Sequence, residues 1–268
     1  MSKLEAARTT LDTAETLAGR AVRANRIDAR AKLVTTLIYI VAVTSLGKYD
    51  LGLLLPFCVF PLLLMMAADL PLKILKPVLV ALPFAVLIGV FNPLYDQRVL
   101  LNLGGFSLTG GWVSFAMIVF KCLLVVSAAL ILVATTGFDQ ICQALLKLGL
   151  PKVFVVQLLL LYRYIFVLID EASRLQRGFQ LRAVGQRLTL RVMGSLLGQL
   201  LLRSISRAQR IHLAMLCRGF DGEMPVNERL SFGLRDAAFV LLWSAFFVLA
   251  RYFDLTGLLG SLVLKGMA

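Results

Sequence analysis

Five apolar runs follow one another along this chain, and polar or basic stretches separate them. The runs cover Leu33–Leu46, Leu51–Ala68, Pro77–Phe91, Trp112–Ala134 and Ala237–Ala250. A helix needs about 20 predominantly apolar residues to cross a hydrocarbon core of about 30 Å. The first run is shorter than that, so its helix is expected to begin near Ala29, whereas Pro56 and Pro61 are expected to kink the second span. The pattern therefore predicts an all-α polytopic membrane protein with about five transmembrane helices.

The longest interruption of this pattern lies between the fourth and fifth runs and is basic. It predicts a cytoplasmic helical domain over residues 137–231, inserted before the last span and containing two long helices. The first of these, Lys152–Val184, is apolar in its first half, so it either lies along the membrane, which we favour, or crosses it. The other predicted segments are a cytoplasmic N-terminal arm over 1–30, a four-helix transmembrane region over 31–136 and a C-terminal transmembrane segment over 232–268.

Composition supports the membrane assignment, and the placement of charge gives its orientation. The chain is 59% hydrophobic and 16% charged, whereas a soluble domain carries about 25% charge. The net charge of +13 is concentrated in residues 1–32, with seven basic against four acidic side chains, and in residues 137–231, with thirteen against six. Basic non-spanning segments are retained on the cytoplasmic side. Nucleic-acid binding is excluded as a function because these segments lack the interleaved aromatic side chains that stack on bases.

Residues that support catalysis or hold a metal are sparse. The chain has one histidine, His212, and four cysteines that form no CxxC pair: Cys58, Cys122, Cys142 and Cys217. It has no phosphate-binding GxxxxGK[ST] loop, so we expect neither ATP binding, nor a cofactor, nor a metal site, nor enzyme activity in this chain itself. Lys121 lies near the middle of the fourth span, where it either faces a transport pathway or, as we favour, faces the helix bundle.

A basic ridge is predicted on the second long helix. Its arginines, Arg203, Arg207 and Arg210, follow one another at steps of four and three, which places them on one helix face together with Ala214 and Arg218. Gly219 follows Arg218 at the position where a helix favours a residue tolerant of left-handed backbone geometry. An apolar stripe accompanies the ridge and consists of Leu202, Ile205, Ala208, Ile211 and Met215.

The same local pattern occurs twice, 36 residues apart. We call Gly178, Arg182 and Ala183 the first arginine motif, and Ala214, Arg218 and Gly219 the second arginine motif. A small residue one turn before the arginine allows another backbone to approach, and the guanidinium group can then bind carboxylates or carbonyls of a partner. Spacing alone leaves two interpretations equally open, a docking surface or two ordinary solvated basic helices.

The run from Arg207 to Glu223, RAQRIHLAMLCRGFDGE, resembles the signature of the T components of energy-coupling-factor (ECF) transporters, in particular the cobalt-type CbiQ family. The stretch from Thr136-Gly137-Phe138-Asp139 to Leu148-Gly149-Leu150-Pro151 is similar to the family's approach to its coupling domain. At the first motif the family usually has Ala-Arg-Gly, whereas this chain has Leu181-Arg182-Ala183. The resemblance thus identifies Arg182 as the equivalent arginine, with Arg177 as the alternative.

The resemblance implies a non-catalytic coupling subunit in the cell inner membrane. Each arginine motif would dock into one of two CbiO-like ATPase subunits, and the coupling domain would pass their motion to CbiM-like and CbiN-like substrate-binding membrane subunits. Imported Co2+ would feed cobalamin biosynthesis, with the metal site on the partner.

Three alternatives remain at this point. A T component for nickel or vitamin uptake would differ in its partners. A self-contained permease is disfavoured because the spans hold almost no acidic side chains to relay protons, and a membrane-embedded enzyme would need a cluster of functional groups that they lack.

Overall fold

The computed structural model describes residues 27–48, 50–68, 70–95, 99–103, 106–183, 189–222 and 233–252, so the predicted N-terminal arm and the last residues lie largely outside it. The helices in these ranges are α1 (Ala29–Thr44), α2 (Val59–Ala67), α3 (Lys76–Gly89), α4 (Asn92–Tyr95), α5 (Gly110–Thr136), α6 (Phe138–Lys147), α7 (Lys152–Arg182), α8 (Leu190–Cys217) and α9 (Leu234–Tyr252). The predicted class, an all-α polytopic membrane protein, is confirmed. One small addition is an antiparallel hairpin of β1 (Val99–Leu103) and β2 (Phe106–Thr109) within the polar stretch between α3 and α5.

The described residues fall into two compact units. The membrane unit comprises those between 27 and 137 together with 233–252, and the helical unit comprises 138–183 and 189–222. Among the described helices, two are long and apolar enough to cross a bilayer, judged by length and composition: α5 in the membrane unit and α7 in the helical unit. The favoured position of α7 along the membrane surface stays a prediction.

The second apolar run is less regular than the kinked helix that the sequence predicts. Two 3-10 turns, Gly52–Leu54 and Pro56–Cys58, precede α2, which has 9 residues. Pro56 has no N–H to donate to an α-helical carbonyl, so a continuous helix cannot pass through it without losing a hydrogen bond. Pro61 lies in the first turn of α2, where a missing N–H leaves no intrahelical bond unmade. The backbone angles of Leu55 and Cys58 nevertheless stay in the right-handed helical region, so the run is a helix with locally tightened turns around Pro56, in keeping with the predicted kink.

Aromatic side chains form the core of the membrane unit. The ring centroids of Tyr39 in α1 and Phe60 in α2 lie 4.7 Å apart, and those of Phe60 and Trp243 in α9 lie 4.8 Å apart. Phe247 packs on the same group. The Tyr39 hydroxyl is buried and donates a hydrogen bond of 3.0 Å to the carbonyl oxygen of Phe57. These contacts join the first, second and last apolar runs around one centre.

Lys121 in α5 faces the helix bundle, as the favoured interpretation of the sequence predicts. Its Nζ donates to the carbonyl oxygen of Leu46 at 2.6 Å and to that of Thr44 at 3.3 Å. The last carbonyls of a helix lack intrahelical partners and carry partial negative charge, so a lysine is suited to cap them. Lys121 thus completes the C-terminal end of α1, which begins at Ala29 as predicted.

Candidate functional site

A tight turn in the helical unit joins α6 to α7. Gly149 has a φ of +101°, its N–H donates to the carbonyl of Leu146 at 3.2 Å, and the N–H of Leu150 donates to that of Leu145 at 3.1 Å. This is the Schellman arrangement, in which a left-handed residue reverses the chain and satisfies the last carbonyls of a helix. Pro151 follows directly as the N-cap of α7. The sequence Leu148–Pro151 therefore fixes where the first long helix starts.

The second arginine motif ends α8 with the same arrangement. Gly219 has a φ of +79°, which confirms the left-handed cap predicted from the sequence. Its N–H donates to the carbonyl of Leu216 at 3.0 Å, and the N–H of Phe220 donates to that of Met215 at 3.0 Å. Arg218 is the C-cap residue itself. Arg218, Ala214 and Gly219 are all exposed, so the arginine stands at an open helix end beside a small residue.

The first arginine motif lies at the end of α7 but closes the helix differently. Arg182 is the last helical residue, and Ala183 caps the helix in right-handed geometry, with φ −80°, while its N–H donates to the carbonyl of Phe179 at 2.9 Å. Gly178 lies one turn earlier, and a Cβ atom there would meet nothing within 4 Å. Both motifs thus combine an exposed arginine at a helix C-terminus with an open small residue one turn before it.

The two candidate arginines of the first motif differ in their contacts, and the choice of Arg182 stays a prediction. Arg177 makes an interaction within the chain. Among the residues that the structure describes, Arg182 and Arg218 make no ion pair, and both are exposed. Arg182 therefore matches Arg218 in position and availability more closely than Arg177 does.

An acidic residue of α7 holds two arginines of the basic ridge. Nη1 of Arg203 donates to Glu171 Oε1 at 2.8 Å, and Nη2 of Arg207 lies 3.7 Å from Glu171 Oε2. The hydrogen bond from Arg203 lowers the pKa of the Glu171 carboxyl, and the positive charges of Arg203 and Arg207 add to this effect. Glu171 thus ties α7 to α8 across 32 residues of sequence. Arg210 remains an exposed arginine of the ridge.

An apolar groove of about 450 Å³ runs between α7 and α8. The predicted apolar stripe of α8 contributes Ile205, Ala208, Ile211 and Met215, and α7 contributes side chains that include Leu160 and Val167. The exposed His212 also lines the groove. The stripe of α8 therefore faces the groove, and Arg207 of the ridge lies at both features, since it lines the groove and approaches Glu171.

Metal-ligating side chains do not converge in the described part of the chain. No group of three or more His, Cys, Asp or Glu residues comes together there, and the four cysteines in that part are free thiols. What the helical unit offers is therefore a pair of exposed arginine motifs at helix ends rather than a constellation for ligand coordination.

The apolar helices of the membrane unit define the chain as a helical membrane protein. Comparison with known families is more specific, because the model of the CbiQ family, described as cobalt transport protein, matches residues 22–228. The chain belongs to this family, which consists of transport proteins of the membrane and not of enzymes. Two relatives from Methanocaldococcus jannaschii are uncharacterized proteins. MJ1571 is 30% identical over 240 residues, covering 85% of this chain and 82% of the relative, and MJ1089 is 25% identical over 130 residues, covering 47% and 48%.

Proposed function

We propose that this chain is the transmembrane coupling subunit, or T component, of an ECF-type ABC importer for cobalt ions. In this role, two CbiO-like ATPase subunits bind the helical unit, and their ATP-driven motion passes through it to CbiM-like and CbiN-like membrane subunits that bind the substrate. The observation that carries the proposal is the matched pair of arginine motifs, each exposed at the C-terminal end of a long helix of one unit.

The chemistry of the two motifs suits docking into a protein groove. A guanidinium group presents several donors in one plane and can bind two acceptors of a partner at once. The open positions at Gly178 and Ala214 allow a partner backbone to come close to each helix one turn before its arginine. Two such sites on one chain fit two copies of the same ATPase.

The link through Glu171 gives the helical unit a property that coupling requires. Because one carboxylate binds Arg203 and approaches Arg207, α7 and α8 are connected near their middles. A displacement applied at Arg182 on one helix is then shared with the helix that carries Arg218. Two unconnected helices would each respond to one ATPase alone.

Charge supports the proposed orientation, and the family description supports the proposed substrate. The basic helical unit is expected on the cytoplasmic side of the cell inner membrane, where the ATPases and ATP are found, with the N-terminus on the same side. The family description favours cobalt ions over nickel or a vitamin as substrate, which would be delivered for cobalamin synthesis. The ion itself is expected to bind a partner subunit.

The test is co-purification of tagged protein from native membranes with the subunits identified. Removing one partner of a desolvated charge pair costs about 2–5 kcal/mol, so Arg182→Ala and Arg218→Ala should each weaken ATPase recovery about 30-fold or more. Arg191→Ala is the matched control, because Arg191 is an exposed arginine at the opposite end of α8. Retention of the ATPase by the double variant Arg182→Ala/Arg218→Ala would refute docking through these motifs. Purified protein that moves cobalt without any partner would show a self-contained permease.

A further inference from the structure

Three charged side chains are buried at one end of the membrane unit. Asp28 is 7% exposed, Lys32 is 6% exposed and Asp236 is 5% exposed. We call these three residues the inner charge cluster. Burying charged groups is costly unless they are hydrogen-bonded, and Lys32 and Asp236 each hydrogen-bond to the backbone of another helix or of the residue before it.

The carboxylate of Asp236 joins the beginnings of two helices. Its Oδ1 accepts a hydrogen bond of 2.8 Å from the backbone N–H of Asp28, just before α1. Its Oδ2 accepts one of 2.8 Å from the N–H of Gly233, just before α9. Asp28 lies 208 positions before Asp236, and both donors stand at the beginning of a helix, where N–H groups lack intrahelical partners. One side chain therefore fixes the start of α9 to the start of α1.

Lys32 adds the end of a third helix. Its Nζ donates to the carbonyl oxygen of Thr135, in the last turn of α5, at 3.3 Å, and its backbone N–H donates to the carbonyl oxygen of Asp28 at 3.3 Å. Thr135 is itself only 3% exposed. The inner charge cluster thus connects the start of α1, the end of α5 and the start of α9 in one buried network.

These helix ends are the ones from which the chain passes between its two units. After Thr136 the chain turns at Gly137, which has a φ of +78°, and residue 138 begins the helical unit. The described part of the membrane unit resumes at Gly233, directly before α9. The cluster therefore holds the residues that flank both connections.

We propose that the inner charge cluster anchors both connections, with Lys32 and Asp236 as positioning residues that make the membrane unit respond to the helical unit. If the two connections are held to one rigid point, a displacement of the helical unit acts on α5 and α9 together. If the inner charge cluster is disrupted, the two connections move independently. The displacement of the helical unit then does not reach α5 and α9. This inference rests on the proposed function, since it concerns how a coupling subunit transmits motion.

The chain provides a matched control in Lys121. Like Lys32, Lys121 donates from Nζ to backbone carbonyls at the C-terminal end of a neighbouring helix, in its case α1. Its contacts lie at the opposite end of the same pair of helices, at residues that flank no connection to the helical unit. Loss of either lysine removes the same kind of contact, but only Lys32 belongs to the anchor.

The experiment uses the assembled complex, co-purified with its partners and placed in proteoliposomes. Uptake of radioactive cobalt and hydrolysis of ATP are measured together for wild type, Lys32→Met, Lys32→Arg, Asp236→Asn and Lys121→Met. Substitutions in elements that couple two sites change the coupling by about 2- to 30-fold, so we expect about fivefold fewer cobalt ions moved per ATP in Lys32→Met and Asp236→Asn. ATPase recovery and hydrolysis should stay within about twofold of wild type, because neither variant touches the arginine motifs. Lys32→Arg should restore the ratio, and Lys121→Met should leave it unchanged.

Several results would contradict the role of the inner charge cluster as an anchor. A normal ratio of cobalt to ATP in both Lys32→Met and Asp236→Asn overturns the anchor, as does an equal loss in Lys121→Met. If Lys32→Met fails to assemble, Asp236→Asn carries the test, because an amide keeps the shape of the carboxyl group. A wild-type chain that recovers no ATPase overturns the proposed function itself, which is a different result from lost coupling in an intact complex.

Discussion

Replacing Glu171 with glutamine should weaken the contact between α7 and α8 and lower the free energy of unfolding. The carboxylate is 15% exposed and Arg203 is 55% exposed, so solvent screens their 2.8 Å hydrogen bond. Partly exposed ion pairs are worth about 0.2–1 kcal/mol, and the good geometry of this one places it near the top of that range. Arg207, at 3.7 Å and 43% exposed, should add a few tenths of a kcal/mol.

The two arginines also repel each other once the carboxylate is neutral. They lie four residues apart on one face of α8, where like charges destabilise a helix by about 0.2–0.5 kcal/mol. We therefore expect Glu171→Gln to lower the free energy of unfolding by about 1.5 kcal/mol in total, with Arg203 responsible for most of it. Raising NaCl to about 1 M shortens the Debye length to about 3 Å and should remove part of this difference.

A double-mutant cycle tests these values. Thermal unfolding of the full-length chain in detergent is measured for Glu171→Gln, Arg203→Gln and the double variant, with Arg210→Gln as the control on the same ridge. We expect a coupling energy of about 0.5–1 kcal/mol between Glu171 and Arg203, and none between Glu171 and Arg210. A coupling energy of zero for Glu171 and Arg203 would refute the connection between the helices.

The same contact has a defined pH dependence. Because the folded state lowers the pKa of Glu171 below its ordinary value of 4.5, the carboxylate contributes stability above that pH. The contribution should be lost as the pH falls below 4.5 through the lowered pKa. Wild type and Glu171→Gln should therefore differ in melting temperature at neutral pH and converge in acid.

Three further substitutions test other parts of the structure. Gly178→Ala should stabilise the isolated chain by about 0.5–1 kcal/mol, since a Cβ meets nothing there, yet weaken ATPase recovery if a partner backbone approaches this turn. Gly89→Ala should destabilise by about 1–3 kcal/mol in thermal unfolding, because its Cβ would lie 2.7 Å from Cδ2 of Phe115. Tyr39→Phe should cost about 1–3 kcal/mol by leaving the buried Phe57 carbonyl without its donor, and an unchanged melting temperature would contradict that hydrogen bond.

The features that could be predicted from the sequence are those set by residues close together in the chain, such as the ends of helices. The helix end at Arg218 and Gly219 could be predicted because a left-handed cap needs glycine and the basic spacing ends there. The start of α1 at Ala29 could be predicted from the length that a bilayer requires. The irregularity at Pro56 could be predicted only in part, because a proline predicts the loss of one α-helical hydrogen bond but not the 3-10 turns that surround it.

The features that could not be predicted from the sequence are contacts between residues that lie far apart in the chain. The ridge pattern correctly groups Arg203 and Arg207, but nothing in its spacing shows that Glu171, more than thirty residues away, takes both of them. Asp236 likewise reads as an acid in the first turn of a helix, a common N-terminal feature, and its bond to the N–H of Asp28 is visible only in three dimensions. The docking roles of the two arginine motifs stay predictions.

The two lysines that cap each other's helices also constrain how the chain is made. Lys121 lies 75 residues beyond the Leu46 carbonyl that it caps, so α1 is synthesised and delivered to the bilayer long before its cap exists. Lipid offers no donor to a helix end in the meantime. In the same way, the Lys32 side chain is synthesised before its acceptor, the carbonyl oxygen of Thr135, which lies 103 residues further along the chain. We therefore expect α1 to gain this cap only when α5 is inserted beside it, so that ribosome-bound chains that stop short of α5 lack the contact.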